Sequence, residues 1–256
     1  MSKIYDALEH AQKEIKEKEK VPEPPSTSPP ASTIEPTVVP TIPDMPPGVN
    51  LEAEMISLYQ SIDSLLPNIP NRIIMFIGSR RGEGTTTISN EFARVAALKM
   101  GKSVLLVDID RSRPELQHYY SVKLECDLED VIKNNAPIEK AFCQIEDTTL
   151  FVSPIFEQSL VRPQTLDTAK TLSFWDQLRR RFDFIVIDSP PATLYADGLS
   201  IARLTDGVIL IVEAEKTSWP IATTVKEKIM QHGGTLLGIV FNKRRFYIPQ
   251  FIYKRL

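Results

Sequence analysis

The sequence predicts an α/β domain built on a doubly wound, mostly parallel sheet. Two observations carry that expectation. Between residues 71 and 242, short apolar runs alternate with segments of helical periodicity, and strand–helix alternation of this kind implies parallel strands joined by right-handed crossovers. Three of the strand candidates also run into residues suited to ligand binding, a glycine-rich loop after the first and aspartates at the ends of two others. Open α/β sheets bind ligands at the carboxyl ends of their strands.

Residues 1–20 read as an amphipathic helix. Ser2 is placed to cap it, and Ile4, Leu8, Ala11 and Ile15 recur on one face. Residues 21–49 hold ten of the twenty prolines, together with Ser, Thr and Glu and no aromatic residue. Such a composition buries too little apolar surface to offset its ordering entropy, so the stretch is expected to be a disordered linker, with a reach of roughly 90 Å when extended. A helix on such a tether can dock on a partner, lie on a membrane, fold back on the main domain, or remain solvated. Partner docking is favoured because the apolar stripe is thin.

A second helix is expected over 51–66, with Leu51, Met55, Leu58, Ile62 and Leu65 along one side. The main domain then occupies the rest of 50–256. Strands are expected at 72–78, 103–108, 149–153, 184–188, 207–212 and 237–241. Several are apolar throughout, as strands covered on both faces are. Helices are expected at 86–100, 128–134, 166–181, 197–204 and 217–232. On the helix at 166–181, Leu172, Trp175 and Leu178 form the expected core stripe.

Composition excludes several functions. With 30 basic and 33 acidic residues the net charge is -3, so no global basic excess points to nucleic acid. Two cysteines, Cys126 and Cys143, and three scattered histidines make neither a disulfide framework nor a zinc site. No apolar run approaches the ~20 residues of a bilayer-spanning helix. The charged N-terminus lacks an apolar signal segment, and a cytoplasmic location is the expectation.

The strand at 72–78 leads into Gly78-Ser79-Arg80-Arg81-Gly82-Glu83-Gly84-Thr85-Thr86-Thr87. A strand, a glycine loop and a helix in succession let backbone N–H groups wrap a phosphate, with the helix N-terminus adding positive potential. Set against the pattern G-x-x-x-x-G-K-[ST], Thr86 fills the hydroxyl slot, Thr85 stands where the lysine belongs, and Ser79 stands where the first glycine belongs. The next strand ends Val-Asp108-Ile-Asp110, and a later one ends Ile187-Asp188-Ser189-Pro190-Pro191. Asp108, Asp110 and Asp188 would meet near Thr86. That set suits Mg²⁺, which takes few carboxylates and keeps several waters.

The Gly82-Glu83-Gly84 loop, the Asp108-x-Asp110 ending followed by Arg113-Pro114, and the Asp188-Ser-Pro-Pro segment resemble the bacterial tyrosine kinases. These are the cytoplasmic P-loop ATPases of capsular and exopolysaccharide synthesis. The resemblance covers roughly 51–242 and extends more distantly to the chromosome-partition and division-site ATPases. It implies ATP and Mg²⁺ as ligands. Arg81, Gly82, Glu83, Gly84, Thr85, Thr86 and Thr87 match the nucleotide loop. Thr86, Asp108 and Asp188 match the metal-holding positions. Asp108 and Asp110 match the motif that activates the attacking hydroxyl, and Asn242 matches the residue that reads the adenine edge. It also implies a membrane polysaccharide copolymerase, or another subunit of that complex, as partner at the inner face of the cell membrane, and homo-oligomers.

Three departures stand against that pattern. Thr85 removes a charge-assisted contact worth ~1.5–3 kcal/mol, roughly ten- to hundredfold in affinity. One preorganised donor lost in the transition state costs about 10²–10³ in rate. Arg80 or Arg81 would compensate if they reach the phosphates, and otherwise they are simply solvated. No Lys or Arg occurs from Val49 to Asn71, where the family carries paired arginines for ring assembly. The C-terminal tail offers only Tyr247 and Tyr253 as phosphoacceptors, where the family has a tyrosine cluster. That basic, aromatic tail suits peripheral contact with an anionic membrane or packing on the domain. The expected function is a regulatory or scaffolding subunit of exopolysaccharide synthesis with an impaired ATP site. The alternatives are a weakly active tyrosine kinase and a membrane-associated positioning ATPase.

Overall fold

The computed structural model describes residues 51–110, 116, 119–122, 131, 136–153, 169–194 and 196–244. The helix expected at 1–20, the linker at 21–49, His118, Cys126, Tyr247 and Tyr253 lie outside the described residues. So does the helix expected at 128–134, apart from Val131.

Seven strands form one sheet: β1 (Arg72–Gly78), β2 (Val104–Asp108), β3 (Cys143–Gln144), β4 (Leu150–Ser153), β5 (Phe184–Ser189), β6 (Gly207–Glu213) and β7 (Leu236–Asn242). Their order is β3-β4-β2-β5-β1-β6-β7. Every pairing is parallel except β3 with β4. The expected doubly wound, mostly parallel sheet is therefore present, with β1 in its interior between β5 and β6. The two-residue edge strand β3 carries too little pattern to be read from sequence.

Among the described residues five α-helices cover the sheet: α1 (Glu52–Leu65), α2 (Thr85–Leu98), α3 (Ala169–Arg179), α4 (Ala196–Ile201) and α5 (Trp219–Gln231). Every residue of β1 is buried. The period-2 alternation of a strand explains how one apolar run serves two cores. Ile74 and Phe76 face the layer of α1 and α2, with Met55, Ile62, Phe92 and Val95. Ile73, Met75 and Ile77 face Phe174, Trp175, Leu178, Leu199 and Val225 from α3, α4 and α5. The Phe92 ring lies 5.3 Å from Phe76 and 5.9 Å from Phe184, centroid to centroid.

Two expected stripes are corrected. On α1, Met55 and Ile62 are buried, but Leu65 is 55% exposed. At that end of the helix the Arg72 guanidinium takes Asp63 (2.7 Å) and the Leu66 carbonyl (3.0 Å), while Tyr59 supplies the aromatic contact to Phe184. On α3 the buried set is Thr171, Phe174, Trp175 and Leu178, an i, i+3, i+4, i+7 series. Leu172 falls one residue out of that phase and is exposed.

Candidate functional site

The loop between β1 and α2 turns back on itself at two glycines. Gly82 has φ +83° and Gly84 φ +90°, the left-handed region that glycine adopts without strain. Gly84 is required by space as well. A Cβ there would stand 2.3 Å from Asn242 Nδ2. At the base of the loop, Gly78 leaves room for the Thr85 hydroxyl, which lies 2.6 Å from where a Cβ would be. The N-cap residue of α2 is Gly84, so no side chain caps the helix, and its N-terminal amides are left for an anion.

Glu83 does not point at the cleft. It is buried, and its carboxylate accepts hydrogen bonds from the Ser79 amide (2.5 Å), the Ser79 hydroxyl (2.6 Å), the Arg80 amide (2.8 Å) and the Thr217 hydroxyl (2.5 Å). It therefore braces the start of the loop and ties it to the segment before α5. Two further bonds hold the loop to the chain after β5: Thr193 Oγ1 donates to Ser79 O (2.7 Å) and the Ala192 amide to Gly78 O (2.9 Å).

Asp108 and Asp188 are directly paired on the adjacent strands β2 and β5, and each is 1% exposed. Asp108 Oδ1 accepts from the Asp110 amide (2.8 Å), while Oδ2 is buried without a hydrogen-bond partner. Burial, and then the neighbouring Asp188 charge, raise the Asp108 carboxyl well above the usual carboxylate range. An orphaned oxygen on one of two adjacent buried acids is what a divalent cation would satisfy. Among the described residues, no group of three or more His, Cys, Asp or Glu forms a metal cage. Mg²⁺ takes few protein ligands and keeps several waters, so two carboxylates with a hydroxyl are a sufficient donor set.

Seven of the expected site residues share one cleft, while Glu83, Asp108, Asp188 and Asn242 are not among the residues that line it. Arg81, Gly82, Gly84, Thr85, Thr86, Thr87 and Asp110 line a single cleft of about 290 Å³, together with Arg80, Ser189, Pro191 and Lys243. Arg80 and Arg81 are exposed at its rim. Asn242, at the end of β7, donates from Nδ2 to Glu83 O (2.8 Å) and accepts from the Lys243 amide at Oδ1 (2.8 Å). Sequence reading missed Thr217 and Lys243 as site residues. Lys243 Nζ donates to Gly82 O and stands 3.8 Å from Glu213. No motif marks Lys243, because its approach depends on β7 lying two strands from β1.

Two predictions follow from this geometry. Glu83→Ala should destabilise the domain by about 1–3 kcal/mol, because it strands the buried Ser79 amide. Glu83→Gln should cost much less, since its oxygen can still accept from the amides while its NH₂ faces the two hydroxyls. Urea unfolding of both variants checks this, and equal losses would contradict it. The second concerns Asp108. Its folded-state pKa is raised, so the stability it permits is fully present below the unfolded pKa of about 4 and is lost as pH rises through the folded value. In metal-free buffer, Asp108→Asn should therefore be more stable than the native chain at pH 7, with the advantage vanishing near pH 4. About 2–4 °C in melting temperature corresponds to each 1 kcal/mol for a domain of this size. An advantage independent of pH would contradict the assignment.

Comparison with known proteins agrees with this architecture. A family model described as an AAA domain matches residues 71–230. The tyrosine-protein kinase CpsD of Streptococcus agalactiae serotype III is 28% identical over 174 residues, which cover 68% of this chain and 75% of that protein. The crystal structure of the chimerical protein CapA2B2 superposes with a TM-score of 0.69 at 20% identity, covering 81% of this chain and 94% of the other. The septum site-determining protein MinD of Pyrococcus horikoshii, solved as a complex with Mg-ADP, superposes with a TM-score of 0.58 at 22% identity, covering 72% and 76%. By the family match over more than half of its length the chain belongs to the AAA-domain family, and its relatives include bacterial tyrosine-protein kinases.

Proposed function

We propose that this protein is a tyrosine-kinase-like subunit of bacterial exopolysaccharide or capsule synthesis whose ATP site is impaired, holding a Mg²⁺–adenine nucleotide without efficient phosphoryl transfer. Its role is to regulate or scaffold a membrane polysaccharide copolymerase from the cytoplasmic face. The observation that carries the reading is a braced phosphate loop, set beside two buried carboxylates, in which the lysine position is Thr85. Among the described residues no helix is long and apolar enough to cross a membrane, and membrane contact in this reading runs through the partner.

In this reading the amides at Gly82, Gly84 and the first turn of α2 hold the phosphates, and the Thr86 hydroxyl with Asp108 and Asp188 holds the metal. Bound Mg²⁺ would supply charge neutralisation for the phosphates and for the acidic pair. Asp110, partly exposed on the cleft, is the group placed to accept a proton from an attacking hydroxyl. The Asn242 amide clasps the loop through Glu83 O, and reading of the adenine edge by Asn242 requires that clasp to open. With Thr85 in place of lysine, the charge-assisted contact that would favour the transition state is missing.

Calorimetric titration of the full chain with Mg·ADP and Mg·ATP, beside a phosphotyrosine assay, tests the reading. The native chain should bind at micromolar levels and turn over slowly, and Thr85→Lys should raise turnover by about 10²–10³. Native turnover in the ordinary kinase range of roughly 1–100 s⁻¹, or failure of the native chain to bind either nucleotide, would contradict it. Phosphate appearing on Tyr247 or Tyr253 would favour the weakly active kinase. Nucleotide-dependent dimerisation would favour the positioning ATPase.

A further inference from the structure

We propose that Lys243 supplies, from the end of β7, the phosphate-binding ammonium that position 85 lacks. The inference rests on the nucleotide reading above and says which side chain sustains it. Lys243 follows the last residue of β7 and adopts φ +56°, a left-handed conformation that L residues take at a cost and that clusters at functional sites. Asn242 Oδ1 accepts the Lys243 amide and holds the turn in place. The side chain then runs to the glycine loop, where Nζ donates to Gly82 O. Lys243 thereby lines the same cleft as Thr85 and Thr86.

The ammonium is parked rather than locked. Its acidic neighbour Glu213 lies 3.8 Å away, and the same Glu213 oxygen already has Lys216 at 3.1 Å. Lys243 can therefore leave for a phosphate without stripping Glu213 of its cation. The Gly82 carbonyl it would leave belongs to an exposed residue, which water can solvate. Arg80 and Arg81 also line the cleft and are exposed, as Lys243 is, but both belong to the loop itself, whereas Lys243 reaches the cleft from the end of β7. A compact ammonium on a four-carbon stem can bind phosphate as a point charge, as the usual loop lysine does. Here the charge comes from the end of β7, so the match to the loop motif fails while the bound phosphates still meet a cation; the position beside the transferring group, which Thr85 occupies, stays without one.

The test is calorimetry of the full chain with Mg·ADP and with AMP, which lacks a β-phosphate. Lys243→Gln should weaken ADP binding by about ten- to hundredfold and AMP binding far less. Lys243→Arg should keep most of the affinity, and Thr85→Lys placed in the Lys243→Gln background should restore it. A Lys243→Gln variant that melts like the native chain yet binds ADP within twofold of it overturns the proposal and leaves the nucleotide reading standing. A native chain that binds no ADP overturns both. If Lys243→Gln does not fold, Lys243→Met, which keeps the stem and removes the charge, decides. It should weaken ADP binding by about ten- to hundredfold, and binding within twofold of the native chain overturns the proposal.

Discussion

At the carboxyl edge of the sheet, Asp108 and Asp188 stand side by side on hydrogen-bonded strands with almost no exposure to water. Two adjacent buried carboxylates oppose folding unless one is protonated or a cation lies between them. Nothing in the packing of the domain requires acids there, since apolar residues would fill the ends of β2 and β5 at lower cost. The pair makes sense as one half of a ligand site, and the sheet makes sense as the frame that keeps it dry. β1, β2 and β5 are buried along their full length, so the strands themselves shield the acids from water.

The other half of the site is the loop, and here an acid plays the opposite part. Glu83 lies inside the loop, satisfied by two backbone amides and two hydroxyls. It fixes the path of the chain from β1 while the Gly84 amide and α2 remain uncapped. Thr217, Thr193 and Asn242 add ties from three other segments. A loop held in this way is preorganised, so on the proposed reading phosphate binding need not meet the entropy of ordering it. Such a loop tolerates loss of the lysine better in the ground state than in the transition state, where a charge placed against the transferring group matters most. That asymmetry is the basis for reading the protein as a binder of nucleotide more than a catalyst.

The fold was legible because its signals are local and repeated. Apolar runs such as 73–77 and 207–212, short and rich in β-branched residues, read as strands covered on both faces, and the observed β1 and β6 agree with them. The glycine loop and the aspartates at strand ends were legible for the same reason, since parallel topology sends all such ends to one rim. Three features were not. The short antiparallel β3 has no periodicity to read. Leu65 and Leu172 are exposed because helix phase is set by neighbours that the helix sequence does not name. Lys243 and Thr217 reach the loop only through the order in which β6 and β7 are laid down beside β1, a long-range fact that no spacing encodes. Glu83 was assigned to the nucleotide loop by its place in the motif, and geometry alone showed it turned inward as a brace.

The central claim is that the loop and the buried acids form one metal-dependent phosphate site. Hydrogen exchange of the full chain tests it most directly, with ADP present in Mg²⁺ and again in EDTA. The account predicts slowed exchange in peptides spanning residues 79–88 when ADP and Mg²⁺ are both present, and much weaker protection without the metal. Unchanged exchange across 79–88 under saturating Mg·ADP, or protection that ignores the metal, would contradict it.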